Sequence, residues 1–319
     1  MTSLHFAQIS DIHISSLGNH HELLGAHAPD ILAGIIADLN RRPDLDFVLI
    51  TGDLFDEADQ SEFDQFQAGI KSLNRPYYII PGNHDRRSLD CTEGLTRRDF
   101  ARHFNPQFNQ RPTEPQAQAG YWSIAVDLRV QIIGLDSIRD EDWGGVIDDA
   151  QWRWLEQELK AHADKFVIVA VHHPLHKLAP VDDHPSFTNF VCSNGPQLLA
   201  LLDAHPQVKL VLTGHHHQTK VDDLGHRLHA AAPSISIYPL AYRTFRLSRP
   251  AGEPWRLSWQ THDAAGPDLI DQAKTAMIDA WHNFAGFDLA IVEQHMVLAL
   301  GTEADRQGRH IFKESDHPY

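Results

Sequence analysis

The chain of 319 residues is 42% hydrophobic and 22% charged, proportions that allow one large α/β domain or two ordinary ones and exclude disordered and collagen-like classes. Asp and Glu number 43 against 27 Lys and Arg; the formal charge of -16 repels a phosphate polymer and excludes extended nucleic acid as a partner. The longest apolar runs, such as Phe166 to Val171, fall far short of the roughly 18 residues of a membrane span, so a soluble chain with no membrane partner is expected.

The first strand is predicted at Leu4 to Ile9, close behind Met1, with neither the basic start nor the apolar stretch of an export signal. Cys91 and Cys192 are too few for a disulfide framework, and together these features point to the cytoplasm. A helix at Asp30 to Leu39, opening after Ala28-Pro29, leads to a strand at Phe47 to Thr51. A second helix at Ser61 to Leu73 leads to a strand at Tyr77 to Ile80. Such repeats place their strands parallel in one sheet with right-handed crossovers. Residues 86–120, polar and Arg-rich with a weak helix at Leu95 to Phe104, read as a surface insertion. A hairpin of Trp122 to Val126 and Val130 to Leu135 starts a second sheet. An amphipathic helix at Asp148 to His162 then precedes a strand at Phe166 to Val171, and a helix at Gln197 to Ala204 precedes one at Val208 to Thr213.

Short β-rich segments at Arg227 to Ala231, Ile235 to Tyr238, Tyr242 to Leu247 and Arg256 to Thr261 are expected to complete the second sheet. Helices are predicted at Leu269 to Phe284 and Leu289 to Leu300, followed by a loose polar end. The expected organisation is a catalytic domain at 1–265 and a helical extension at 266–319. In that extension Trp281, Phe284, Phe287, Ile291, Met296 and Leu298 leave two readings open, a homo-oligomer contact or lid and a face packed back onto the domain. Tyr121, Trp122, Tyr238 and Tyr242 are similarly open between walling a base pocket and burial between the sheets.

Among 23 histidines, some fall in a pattern. Five segments place His, Asp or Asn just beyond a predicted strand, where open α/β sheets bind ligands. They are Asp11-Ile12-His13, Gly52-Asp53, Gly82-Asn83-His84-Asp85, His172-His173-Pro174 and Gly214-His215-His216-His217. Taken singly, each has a plainer explanation, since strand ends favour Gly, Gly-Asn builds turns and His-rich runs bind metal incidentally. Together, Asp11, His13, Asp53, Asn83, His172, His215 and His217 offer seven imidazole, carboxylate and amide donors without a thiolate. That set suits Mn, Fe, Zn or Co and is large enough for two ions if Asp53, on a central strand, bridges them. His20, His21, His176 and His184 lie in nearby polar loops, where surface exposure is the default.

In this order the five blocks resemble the calcineurin-like metallophosphoesterase superfamily, most closely the bacterial class III cyclic-nucleotide phosphodiesterases and related glycerophosphodiesterases, over Leu4 to Pro239. The resemblance implies an α/β fold, a four-layer α-β-β-α sandwich of two mixed sheets with a site for two divalent or mixed-valence ions at the strand ends. It assigns Asp11, His13, Asp53 and His217 to the first ion and Asp53, Asn83, His172 and His215 to the second. His84, with Asn83, would face the substrate phosphate and its leaving group, and Asp85 would orient the His84 ring. His173 and His216 would stay outside the ligand set. Leu175 departs from the His-His-Pro-Pro often found in related enzymes, which puts the adjoining pocket wall in question.

The implied reaction is attack by a metal-bridging hydroxide on a small-molecule phosphodiester, with His84 assisting the leaving oxygen. No conspicuous Arg cluster accompanies the motifs, which favours a diester over a dianionic monoester. The preferred substrate is 3',5'-cyclic AMP or a similar cyclic nucleotide, with glycerophosphodiesters or 2',3'-cyclic nucleotides as the alternative. A non-catalytic scaffold on the same fold is the remote reading.

Overall fold

In β1 (Thr2–Ile9) successive side chains point to opposite faces, so Leu4 and Phe6 enter one core while Ala7 and Ile9 enter another. The same division recurs along the other central strands and builds the molecule in layers. The structure, a computed structural model, describes residues 2–86, 94–104, 120–139, 143–187 and 190–313. A short hairpin of β2 (Asn19–His20) and β3 (Leu23–Leu24) precedes α1 (Ala28–Asn40), which carries a proline in its first turn. β4 (Phe47–Ile50) is followed by α2 (Gln60–Ile70), whose first turn is capped by the Asp59 carboxylate accepting from the Glu62 amide at 2.9 Å, and then by β5 (Tyr77–Ile79).

After α3 (Arg97–Phe104) come the strands β6 (Trp122–Asp127) and β7 (Val130–Gly134), then α4 (Asp149–Ala161), capped by Asp148. β8 (Phe166–Ala170), α5 (Gly195–Asp203), β9 (Val208–Thr213), β10 (Lys220–Asp223) and β11 (Leu228–Ala231) follow. The long strands β12 (Ala241–Arg249) and β13 (Arg256–Asp263) lead to α6 (Pro267–Ile278), a π-helical turn at Asp279–Phe284, α7 (Leu289–Leu300), the short α8 (Glu303–Arg306) and β14 (Gln307–Ile311).

One sheet has the order β14-β13-β12-β1-β4-β5 and the other β10-β11-β9-β8-β7-β6; both mix parallel and antiparallel pairs. Between them Phe6, Phe47, Phe166, Ile168, Leu210 and Leu212 form the central core. Val167, Val169 and Val171 point outward to Trp154, Leu155 and Leu198 of α4 and α5, while Val48 and Ile50 face Ile31, Ile35 and Phe66 of α1 and α2. This is the expected four-layer sandwich. Among the described residues no helix is long and apolar enough to cross a membrane.

The structure corrects four details. The strands predicted at Tyr242 to Leu247 and Arg256 to Thr261 join the first sheet instead of the second, because β12 pairs with β1 in a register that sets Phe245 opposite Phe6 and Leu247 opposite Leu4. No strand forms at Ile235 to Tyr238: the Ser234 hydroxyl accepts from the Ser236 and Ile237 amides and folds the segment into a turn. The end expected to be loose forms the edge strand β14, and β10 is a strand that pattern reading does not find. Both are polar edge strands, which lack the apolar alternation of a central one.

Of the expected insertion, residues 86, 94–104 and 120 are described, and α3 buries Phe100 and Phe104 in the core that holds Phe55 and Phe66. In the C-terminal segment Trp281 and Met296 are buried in the same outer core as α1 residues, whereas Phe284 is exposed. Cys91 lies outside the described residues; Cys192 is buried and free, and burial pushes its thiol up to about 11.

A buried ion pair ties the loop after β5 to the second sheet. The Arg86 guanidinium donates to Asp136 at 2.7 Å, both side chains are fully buried, and Arg97 approaches the same carboxylate at 2.9 Å. Asp136→Ala removes the buried carboxylate that both guanidinium groups approach and is expected to cost about 3 to 5 kcal/mol, read as a lower urea midpoint.

Candidate metal centre

Each predicted donor follows a strand end directly, and the backbone there is bent sharply. Asp11, His13, Asp53, His215 and His217, none of them glycine, have φ values of 52, 45, 52, 65 and 54°. Left-handed conformations cost such residues roughly 1 to 3 kcal/mol each and persist where surrounding structure enforces them. Here the enforcement is a lattice of amide bonds: Asp11 N–H donates to Gly52 O at 3.0 Å, His13 N–H to Asp53 O at 3.0 Å, and His215 N–H to Asp11 Oδ1 at 3.0 Å. Glycine is required where these loops touch. Gly52 has φ 97°, and a Cβ there would lie 2.6 Å from His172 Nδ1; a Cβ on Gly82 would collide with the Asp53 carboxylate.

The turns bring the predicted donors together in two groups joined by Asp53. Asp11, His13 and His217 form one, with His13 Nε2 3.4 Å from His217 Nε2 and His217 Nε2 3.4 Å from Asp11 Oδ1. Asp53, His172 and His215 form the other. Asp53 Oδ2 lies 3.2 Å from His172 Nε2 and 3.7 Å from His13 Nε2, so one carboxylate faces both groups. Asn83 Oδ1 is 3.1 Å from His172 Nε2. His172 donates its Nδ1–H to the Thr51 carbonyl at 2.7 Å, which turns Nε2 into the centre.

Several of these atoms are otherwise unexplained: Asp11 Oδ2, His13 Nδ1 and His215 Nε2 are buried without a hydrogen-bond partner. Imidazole nitrogens facing one another beside carboxylates, with orphaned donor atoms among them, fit a pair of cations. His84 lies beside the first group, its ring 4.7 Å from that of His13 and edge-on to it.

Burial disfavours the charged forms here, but the partners decide the direction. Burial opposes a charge on Asp53, yet the imidazoles of His172, His84 and His13 hold its carboxyl well below the usual range. Burial likewise opposes a charge on His172, while Asp53 raises it to about 9. His13 and His215 are driven well below 6.5, chiefly by burial. Without cations, therefore, His172 keeps a proton that the unfolded chain would release near 6.5. That contribution to stability is full below pH 6.5 and is lost as the pH rises through about 9. A cation must displace the same proton, so metal affinity is expected to climb across this window while the EDTA-stripped protein loses stability. Thermal melts at several pH values and proton release on adding Mn(II) check the two halves.

The orienting partner of His84 differs from the one expected. Asp85 Oδ1 accepts from the amides of Leu54 at 2.7 Å and Phe55 at 3.3 Å, and Oδ2 from Gly82 at 2.8 Å, so this buried carboxylate fastens the loop. Burial and the Asp53 charge push it up to about 8, against the pull of those amides. The His84 ring instead donates Nδ1–H to the Asp56 carbonyl at 2.8 Å, with the Asp56 carboxylate at 3.7 Å. Asp56 is a residue that pattern reading misses, although it sits three positions after Asp53; it also holds Ser15 Oγ at 2.8 Å and His20 Nε2 at 3.1 Å.

The other histidines separate clearly. His173 accepts from Ser137 Oγ at 2.8 Å and donates to Trp143 O at 2.9 Å, which spends both nitrogens; burial and then the His172 charge take it down to about 3. His216 is turned away to pair with Asp182. His176 pairs with Asp222, and the His184 ring packs on Phe187 and Phe287. Leu175 is fully buried under the second sheet.

A cavity of about 430 Å³ opens beside His13, His84 and His217. His20, His21, Glu22 and Asp56 are among its polar lining residues; Phe187, Phe190, Trp281, Phe284 and Phe287 supply aromatic rings. Tyr121, Trp122, Tyr238 and Tyr242 do not reach it and are buried in the cores, Trp122 between the sheets. The aromatic wall comes from two segments distant in sequence, with only polar loops as a local signal.

A family model described as calcineurin-like phosphoesterase matches residues 4–219. The chain belongs to that family. Over 217 residues, 66% of this chain and 71% of the relative, it is 32% identical to a probable glycerophosphodiester phosphodiesterase, GpdQ, of Arcobacter nitrofigilis. It is 29% identical over 215 residues, again 66% and 71%, to a 3',5'-cyclic-nucleotide phosphodiesterase of Nostoc. With the 3',5'-cyclic adenosine monophosphate phosphodiesterase CpdA of Escherichia coli K12 it shares 25% over 239 residues, 72% and 75% of the two chains. The fold is similar to that of a dimetal phosphatase from Danio rerio, with a TM-score of 0.62, 14% identity and coverage of 82% and 96%. The family and its enzyme class are those expected from the five blocks, which leaves the scaffold alternative without support.

Proposed function

We propose that this phosphoric diester hydrolase acts on small, compact diesters, with 3',5'-cyclic AMP or a related cyclic nucleotide as its best substrate. The observation that carries the reading is the cavity: it is lined by His13, His84 and His217 of the metal centre and by five aromatic rings. A volume of about 430 Å³ suits a mononucleotide, and Phe and Trp faces are natural partners for a purine ring.

Asp11, His13, Asp53 and His217 would hold one ion and Asp53, Asn83, His172 and His215 the other. Two such ions, drawn from Mn, Fe, Zn or Co by the nitrogen and oxygen donors, would supply a positive field for the phosphate and a water acidic enough to react near neutrality. His84 keeps Nδ1–H on the Asp56 carbonyl and so turns Nε2 away from it, where a proton carried on that nitrogen can be given to the departing oxygen. Asn83 and His84 contact the phosphate. The unit at 1–265 holds the donors, and the segment from 266 contributes Trp281, Phe284 and Phe287 to the wall. Scarce cysteine supports the cytoplasm as the compartment.

Glycerophosphodiesters are the competing substrates, since one of the relatives named above carries that activity in its name. Their flexible apolar-poor groups make less use of the wall. The deciding measurement is kcat/KM of the Mn-loaded enzyme for 3',5'-cyclic AMP, 2',3'-cyclic AMP, glycerophosphocholine and bis(p-nitrophenyl) phosphate. The expected order puts 3',5'-cyclic AMP above glycerophosphocholine by at least about tenfold, or 1.4 kcal/mol; the reverse order overturns the assignment.

A further inference from the structure

We propose that His176, Asp222 and His229 form a separate cation site that takes one Zn(II) or Co(II) ion per chain. It shares no residue with the metal centre. Asp222 on β10 and His229 on β11 are register partners in an antiparallel pair, so their side chains project from the same face of the hairpin. His176 arrives from the loop that leaves β8, its Nε2 3.1 Å from Asp222 Oδ2 and its ring 4.6 Å from that of His229. One donor atom from each residue lies within 4.8 Å of the others.

The independent sign of a ligand is His229 itself. Its side chain is fully buried, one ring nitrogen belongs to the donor group, and neither nitrogen has a hydrogen-bond partner. His176 Nδ1 is unpartnered as well. Native interiors rarely leave both nitrogens of a buried imidazole unmatched, and an ion gives one of them a role. β11 lies between β10 and β9, so the His229 ring is held on a strand paired on both sides.

Two nitrogens and one carboxylate oxygen form a three-ligand set for tetrahedral Zn(II), with water as the fourth ligand. His176 and Asp222 are each 25% exposed, which gives the ion a way in from solvent. Lys220 Nζ, 3.4 Å from Asp222 Oδ1, occupies the other carboxylate oxygen and leaves Oδ2 for the ion. Such an ion would tie the loop that carries His172 and His173 to the edge hairpin.

The test is metal content per chain of the full-length protein after chelation and dialysis against Co(II) or Zn(II). Three ions are expected in the wild type and two in His176→Ala and in Asp222→Asn, both substitutions at partly exposed positions that spare the buried ring. Asp53→Ala should retain one ion, with a Zn-dependent rise in Tm that disappears in the Asp53→Ala/His176→Ala double variant. Two ions in the wild type with none in Asp53→Ala, the result of a plain His176–Asp222 ion pair, overturns the proposal. So does a count of three that survives both single substitutions. Neither outcome bears on the substrate reading, which the diester panel decides separately.

Discussion

Asp53→Ala is expected to lower kcat/KM for every diester tested by roughly 10³-fold or more and to leave the centre short of metal. The magnitude follows from charge: Asp53 faces both donor groups, and several kcal/mol of electrostatic stabilisation correspond to about three decades in rate. Its Oδ2 is 3.2 Å from His172 Nε2 and 3.7 Å from His13 Nε2, so this one carboxylate serves both sides. Oδ1 also accepts the His84 amide at 2.9 Å, and its loss loosens the loop that holds His84. Asp53→Asn, which keeps the shape and removes the charge, should lose nearly as much activity. A variant that retains two ions at the centre and near-normal turnover would show that the ions are not bridged at this residue.

His84→Ala should behave differently, with both ions of the centre retained and kcat reduced by about 10²- to 10⁴-fold for alkoxide leaving groups. The loss should shrink for bis(p-nitrophenyl) phosphate, whose leaving group needs no proton. The bond from Nδ1–H to Asp56 O fixes the tautomer, so Nε2 can donate only when the ring carries a second proton. The acceptor is the main-chain carbonyl of Asp56, which Asp56→Ala keeps, so that variant should retain both ions of the centre and lose less kcat than His84→Ala. If His84→Ala loses metal, the imidazole is a ligand, consistent with its place beside His13 and Asp53, and the leaving-group role falls.

The donor set was legible in the sequence for a reason that lies in the chain itself. Residues at the carboxyl end of a strand are delivered to one rim of the sheet whatever the rest of the fold does, so the five blocks read as one candidate donor group, and the resemblance selects Asp11, His13, Asp53, Asn83, His172, His215 and His217 within it. Asp85 shows the limit: the resemblance implies that it orients His84, but a turn places neighbouring side chains on different sides, and the carboxylate fastens the amides of Gly82, Leu54 and Phe55.

The wall was hidden for the opposite reason. Phe187 and Phe190 are far from Trp281 along the chain and become one surface with it only because the C-terminal segment packs into the same outer core. The sheet membership of β12 was equally invisible, since an apolar alternation states which face is buried and not which strand lies alongside. The grouping of His176, Asp222 and His229 likewise needs a β10–β11 register that a polar edge strand does not announce. By itself, then, the sequence determined the alternating elements, the layers they must form and the chemistry gathered at their ends, because those follow from local periodicity and strand direction. Tertiary structure alone decided the partner of each side chain, the tautomer of His84 and the shape of the cavity, because these depend on contacts between segments whose separation along the chain carries no local signal.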